Sequence, residues 1–341
     1  MKKIFLPLLL ALLLLTGCGS PKAESLDIFA MDTYMTLVAV GDGAFDTLQS
    51  SANIVNSLEQ AMSRTIESSD VSKLNTAGSA ELRYDTAVLL EEAMALSEAT
   101  LGCFDVTIAP LVELWNISGE TPYVPTQEEI DALLPFVGSE HIRLDGGSAA
   151  LDEGCAIDLG GIAKGFASDR IAQLYHERSL KGGFVSLGGN VYVHGSNTDG
   201  SAWSVAIQHP EDMGGYACKL SLSDAFVVTS GGYQRNFTAP DGTVYQHILD
   251  PFTGKPAQSD LLSVSIILPY DDTALHGSMA DAYSTALYVM GEAAACDFWA
   301  GRQNFDMVLV SADGRVIYTP GLIDSLSEIE ESGYDYQVLT A

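Results

Sequence analysis

Thirteen residues, IDLGGIAKGFASD at 157–169, put a carboxylate, two adjacent glycines and a lysine at the entrance of an expected helix. Such a segment can hold phosphate. Gly160 and Gly161 let the backbone come close to a ligand, the first helical turn offers unpaired N–H groups, and Lys164 adds a positive charge. Asp158 can order a ribose, a ring or a metal. Lys164 is not preceded by GxxxxG and there is no GxGxxG, so the common nucleotide signatures do not apply. A tight strand-to-helix turn also accounts for the glycine pair.

Other segments carry chemistry of their own. SMADAYSTAL at 278–287 sets Asp281 and Thr285 four apart at the start of a helix, so both oxygens project from one face with Ser284 beside them. Hard oxygens suit Mg²⁺, which fills its octahedron with water and phosphate oxygens; an acid complementing the helix dipole is the plainer account. HILDPFTGKP holds His247 at a strand end beside a rigid turn built by Asp250, Pro251 and Gly254. A fixed imidazole there is a general base near neutral pH or a structural histidine, while Asp250 belongs to the turn. In VVTSGGYQRNF, Ser230, Gly231 and Gly232 follow an apolar strand, where backbone amides reach a phosphate or simply turn. GCFDVTIAPLVELW offers Phe104 and Asp105 before a helix, and Met31, Asp32 and Thr33 precede the first strand. A flavin or adenine needs such an apolar wall with a few polar contacts; core packing with Asp105 as a cap is the alternative.

The elements that must position these residues read as α+β. A strand at 34–40 leads through a GDG turn to a helix with apolar residues at 45, 48, 52, 55, 58 and 62. Helices follow at 70–75, 86–100 and 107–115, and Thr126 with Glu129 forms a capping box for a helix through 134. Short strands are expected at 142–144 and 156–159, then a helix over 161–178. The chain then turns mostly to strands at 184–187, 191–193, 203–208, 218–222, 226–229, 243–249 and 262–268. Helices at 278–290 and 293–299 and a hairpin at 306–318 complete it.

Composition bounds the partners. Lys2 and Lys3 precede an apolar run at 4–15 and the string LTGC, which predicts a signal peptide over 1–17 and a bacterial lipobox with Cys18 as the lipidated residue. Residues 18–25 then form a tether and 26–341 one domain on the extracytoplasmic face of the cell membrane, held by acyl chains. Without 1–17, 14 basic residues face 45 acidic ones, a net charge of −31. Nucleic acid is thereby disfavoured, and anionic lipid is repelled except through the anchor. Lys164, Arg64 and Arg235 stand out as anion-binding candidates. Cys103, Cys155, Cys218 and Cys296 show no CxxC spacing, so no zinc or redox motif follows; a Cys155–Cys218 disulfide and free thiols both remain open.

Taken in order, eight segments resemble the ApbE family of FAD:protein FMN transferases: MDTYMTL at 31, MSRTIESSDVSKLN at 62, GCFDVTIAPLVELW at 102, IDLGGIAKGFASD at 157, VSLGGNVYVHG at 185, TSGGYQRNF at 229, HILDPFTGKPA at 247 and ADAYSTALYVMG at 280. The resemblance implies one α+β unit, related to the T-fold, with two related lobes, mostly antiparallel sheets and FAD between them. It implies transfer of FMN from FAD to a threonine or serine hydroxyl of an acceptor flavoprotein, with release of AMP and dependence on Mg²⁺. Mg²⁺ would lie on Asp281, Ser284, Thr285 and the Gly161 backbone. FAD would touch Met31, Thr65, Gly102, Cys103, Phe104, Asp105, Asp158, Lys164, Ser230, Gly231, His247 and Ile248, and His247 or Asp281 would take the hydroxyl proton. Thr65 stands where the family often has an aromatic residue, Asp32 where it often has glycine, and Gly232 where a polar residue is common. Hydrolysis of FAD to FMN and AMP, or storage of intact FAD by a non-catalytic lipoprotein, are the competing functions.

Overall fold

The computed structural model describes residues 22–212 and 214–340. The expected signal peptide, Cys18 and the first residues of the tether lie outside these. Among the described residues no helix is long and apolar enough to cross a membrane.

A nine-stranded sheet organises the chain, in the order Ala23–Ala30, Thr33–Val40, Gly182–Leu187, Asn190–Gly195, Ala225–Gly231, Leu261–Pro269, Asp306–Ser311, Arg315–Tyr318 and Asp335–Val338. Neighbouring strands are antiparallel except for the last pair, which is parallel. Eight of these strands fall into two halves with one chain order: two strands, two helices, two strands. In the first half the helices are Ala44–Met62 and Ala163–Glu177, and in the second His276–Met290 and Glu292–Ala300. These are the two related lobes. Gly291 alone separates the second pair of helices, whereas residues 63–162 are inserted between the first pair.

Both faces of the central strands are covered, which is why LLSVSIILP and AFVVTSG are apolar almost throughout rather than alternating. Phe226, Val228, Val264, Ile266 and Leu268 pack under the helices in the main core. Val227, Ile267, Val308 and Val310 point the other way. They meet Val205, Ile207 and Leu220 of a three-stranded sheet made of Trp203–Gln208, Tyr216–Leu222 and Leu326–Glu328. The insertion has a small sheet of its own, Ser79–Glu81, Ser148–Leu151 and Ile142–Asp145. It also closes a satellite core in which Leu111, Trp115 and Ile130 pack with Leu249 of the second half.

Several expectations need correction. A strand begins at Ala23, so residues 23–25 belong to the sheet and not to a tether. Residues 156–159 form no strand. The Asn75 carboxamide stands in for a neighbouring strand there, its Nδ2 donating to the Ile157 carbonyl at 2.9 Å and its Oδ1 accepting from the Ile157 N–H at 2.8 Å. The strand expected at 243–249 shrinks to Val244–Gln246. Cys103, Cys155, Cys218 and Cys296 are free thiols. The Thr126–Glu129 capping box is present on the helix Gln127–Leu133.

Candidate active site

The two halves touch where the helix Ala163–Glu177 crosses the helix His276–Met290. Gly165 and Gly277 make the approach possible. A Cβ on Gly165 would fall on the Gly277 carbonyl, and one on Gly277 would lie 2.5 Å from the Gly165 carbonyl oxygen. Neither helix start carries a side-chain cap from its own N-cap residue. Each instead receives one from the other helix, four residues beyond its glycine. Asp169 accepts from the Gly277 N–H at 2.7 Å and from the Ser278 N–H and Oγ at 2.9 and 2.8 Å. Asp281 accepts from the Gly165 N–H at 2.9 Å through Oδ2.

This exchange leaves the two buried carboxylates unequal. Asp169 has three donors, against which burial still pushes its pKa up to about 7. Asp281 is 4% exposed and has one hydrogen-bond donor, because the Phe166 N–H stays within its own helix on the Ile162 carbonyl and Phe166 has no hydroxyl. Burial raises the pKa of Asp281, while the Lys164 charge and the Gly165 N–H pull it down. Asn190 also lies close enough to favour the charge, and its buried Nδ2 has no hydrogen-bond partner.

One helical turn beyond Asp281 lies a hydroxyl cluster. Ser230 Oγ, at the end of the strand Ala225–Gly231, is 2.8 Å from Ser284 Oγ and 3.2 Å from Thr285 Oγ1, and Ser284 Oγ donates to the Asp281 carbonyl at 2.9 Å. A carboxylate short of donors, beside hydroxyl oxygens and without soft ligands, is a donor set that fits Mg²⁺. Lys164 folds back over the glycine pair, its Nζ 3.3 Å from the Gly160 carbonyl.

His247 lies within range of the Lys164 charge. Burial pushes its pKa down to about 4, with help from the charges of Arg235 and Lys164. Its Nδ1 lies 3.1 Å from the Arg235 carbonyl, an acceptor only, so the ring holds its proton on Nδ1 and presents Nε2 as a base. Asp250 is occupied in its turn, accepting from the Phe252 N–H and the Thr253 hydroxyl.

Phe104 is buried against Gly161, within 3.3 Å of where a Cβ would stand. Gly102 has φ +81° and lines a groove of about 630 Å³ with Asp105, Gly138, Glu140 and Phe252. Cys103 is half-buried, and burial raises its thiol pKa. The Asp105 carboxylate is taken up by Ser97 Oγ and by the N–H and hydroxyl of Thr107. Asp158 Oδ2 is paired with Arg64 Nε at 2.9 Å, and its Oδ1 accepts from the Gly160 N–H. Met31 has φ +47° and donates its N–H to Glu59, while Arg235 reaches the Asp32 carbonyl. Thr65 is exposed and bonded to Ser63. Gly231 and Ile248 are buried, and the Ile248 N–H is held by Gln246 Oε1.

Sequence reasoning missed Gly165, Asp169 and Gly277 as a set. The signal is present as a repeated Gly-x-x-x-Asp, GFASD and GSMAD, one at each helix start.

Residues 31–309 match the model of the ApbE family. The chain is 33% identical over 297 residues to a FAD:protein FMN transferase of Vibrio cholerae, covering 83% of this chain and 86% of that one. It is 32% identical over 292 residues to one of Treponema pallidum, covering 80% and 79%. Its fold is similar to that of the crystal structure of the ApbE protein of Thermotoga maritima, with a TM-score of 0.78, 30% identity, and coverage of 91% of this chain and 98% of that one. With this match over most of its length, the chain belongs to the ApbE family.

Proposed function

We propose that this protein transfers the FMN moiety of FAD to a threonine or serine hydroxyl of an acceptor protein, with Mg²⁺ held at Asp281 and Thr285. The observation that carries the reading is Asp281, a buried carboxylate with one hydrogen-bond donor, next to Thr285, Ser230 and Lys164. Family membership and the names of the relatives support the reaction class.

In the reaction the acceptor oxygen bonds to the FMN-side phosphorus, the bond from that phosphorus to the AMP phosphate breaks, and AMP leaves with the electron pair. Mg²⁺, when bound, neutralises charge on the diphosphate oxygens. The residues of the chain position and exchange protons, as phosphoryl transfer requires. Asp281 Oδ1, Thr285 Oγ1 and the Gly161 carbonyl would hold the ion, and Ser230, itself bonded to Ser284, would orient the Thr285 hydroxyl. Lys164 stabilises the anionic phosphates. His247, neutral at pH 7, takes the hydroxyl proton at Nε2. The groove lined by Gly102, Leu101 and Phe252 would give a ring system an apolar wall.

The test combines FAD, Mg²⁺ and candidate extracytoplasmic redox proteins, followed by mass spectrometry of the acceptor and assay of AMP. The expected result is FMN on a Ser or Thr of the acceptor with one AMP released for each, and loss of both in Asp281→Ala. Full turnover by Asp281→Ala overturns the assignment. AMP without acceptor modification points to hydrolysis. Attachment to the outer face of the membrane through a lipid on Cys18 is part of the proposal, and Cys18→Ser is expected to release the protein from membranes.

A further inference from the structure

At the opposite end of the elements that build the site, His176, His194 and Asp224 converge, with one potential ligand atom from each within 4.8 Å of the others. We propose that these residues form a second metal site, for a divalent transition metal such as Zn²⁺, separate from the Mg²⁺ position. The two ring nitrogens turned toward Asp224 Oδ1 lie 3.0 Å from it for His194 Nδ1 and 3.5 Å for His176 Nε2. Tetrahedral ligands on bonds of about 2.0–2.1 Å stand roughly 3.3 Å apart, between these two values.

Proton counting supports a cation. His194 Nε2 lies 3.1 Å from the Leu180 carbonyl, which only accepts, so that nitrogen carries the proton and the Nδ1 lone pair faces inward. Ligating histidines are typically fixed in this way through the nitrogen that does not bind metal. The Tyr192 hydroxyl sits 3.0 Å from His176 Nε2 and 3.2 Å from His194 Nδ1, and its single proton serves only one of them. The two inward-facing ring nitrogens thus share the Tyr192 hydroxyl as donor, while Asp224 Oδ1 has the Gly195 N–H, unless His194 takes a second proton and becomes a plain ion-pair partner of Asp224.

The surroundings suit a metal. Backbone bonds lock Asp224 in place: its side chain accepts from the Gly195 N–H at 3.0 Å and its carbonyl from the Tyr270 N–H at 2.7 Å. Tyr270 stacks on the His176 ring at 3.9 Å between centroids. His194 is buried, while the His176 and Asp224 side chains are 35% and 41% exposed, so an ion can enter and keep a water ligand. Two nitrogens and one oxygen suit Zn²⁺, Ni²⁺ or Cu²⁺ better than Mg²⁺. The ion would join the C-terminal turn of the helix Ala163–Glu177 to the strands Asn190–Gly195 and Ala225–Gly231. The far ends of these elements supply Lys164, Asn190 and Ser230 to the active site, so the site acts as a clip behind the catalytic wall.

The purified protein, stripped of metal with a chelator and returned to Mg²⁺ buffer, is titrated with Zn²⁺. Expected are one bound Zn²⁺ by native mass spectrometry, a higher Tm, and an X-ray absorption spectrum with a nitrogen and oxygen shell, two-imidazole scattering and no sulfur. Affinity falls by about tenfold or more in His176→Gln and in Asp224→Asn, and stays within about threefold of wild type in Asp281→Asn. Absence of bound Zn²⁺ in wild type, a sulfur shell from the free cysteines, or loss in Asp281→Asn with retention in His176→Gln overturns the proposal. The absorption spectrum of wild type decides the matter even where a variant fails to fold.

Discussion

Asp169 and Asp281 stand four residues beyond the glycines of two crossing helices, one from each half of the molecule, and each reaches across to the start of the other helix. Asp169 meets three donors and serves as a cap. Asp281 meets one, at Oδ2. The cause is local: the residue after Gly277 is Ser278, whose N–H and hydroxyl complete the cap, whereas the residue after Gly165 is Phe166, whose N–H remains in its helix. One packing arrangement thus yields a satisfied joint on one side and, on the other, the carboxylate proposed above to hold Mg²⁺. A buried carboxylate is costly unless satisfied, so the deficit at Asp281 is where a cation gains most.

The comparison can be broken at the crossing itself. Gly165→Ala drives a methyl onto the Gly277 backbone carbonyl and the Asp281 Cβ, neither of which can swing aside without moving the helix. It should cost about 3 kcal/mol or more in urea unfolding and remove transfer as well, since the two walls separate. An unchanged urea midpoint would mean that the helices do not meet this closely. Asp169→Asn tests the cap: it keeps one acceptor but forces an amide N–H₂ against donors, which should lower stability by about 1–3 kcal/mol. Ser278→Ala removes one donor from Asp169 and should cost about 1 kcal/mol, with FMN transfer preserved.

A smaller effect sharpens the role of His247. Its pKa in the folded chain is about 4, below the unfolded value near 6.5, so the unfolded chain binds more protons in between. The stability that the neutral ring contributes is present above about pH 6.5 and is lost as pH falls toward about 4. His247→Gln should therefore lose less stability than wild type between about pH 7 and 5. Equal losses in both proteins would place the ring in water instead of in the cleft wall.

Much of this was legible in sequence because local chemistry and order agree. The oxygens of Asp281 and Thr285 share a helix face by spacing alone, and the structure puts them on the helix His276–Met290. Lys164 and the glycine pair fall at the start of the helix Ala163–Glu177 as expected. What escaped depends on long-range partners. The strand Ala23–Ala30 was hidden because it is an edge strand with alternate residues in solvent, so AESLDIFA looks like polar linker. The apolar run at 156–159 looked like a strand but pairs with the Asn75 side chain, 82 residues away in sequence. The same applies to Asp158, whose partner Arg64 is supplied by the inserted segment, and to the glycine crossing, where each helix alone shows only a glycine early in its first turn.

The central claim is the division of labour between the two aspartates, and one experiment addresses it directly. FMN transfer to an acceptor, with AMP release in the presence of Mg²⁺, is measured side by side for wild type, Asp169→Asn and Asp281→Asn, with urea unfolding of each. Asp281→Asn is expected to lose about 10³-fold or more in transfer while unfolding near the wild-type midpoint, and Asp169→Asn to unfold earlier while the folded fraction transfers within about tenfold of wild type. Wild-type turnover by Asp281→Asn, or an equal loss of transfer in folded Asp169→Asn, would contradict it.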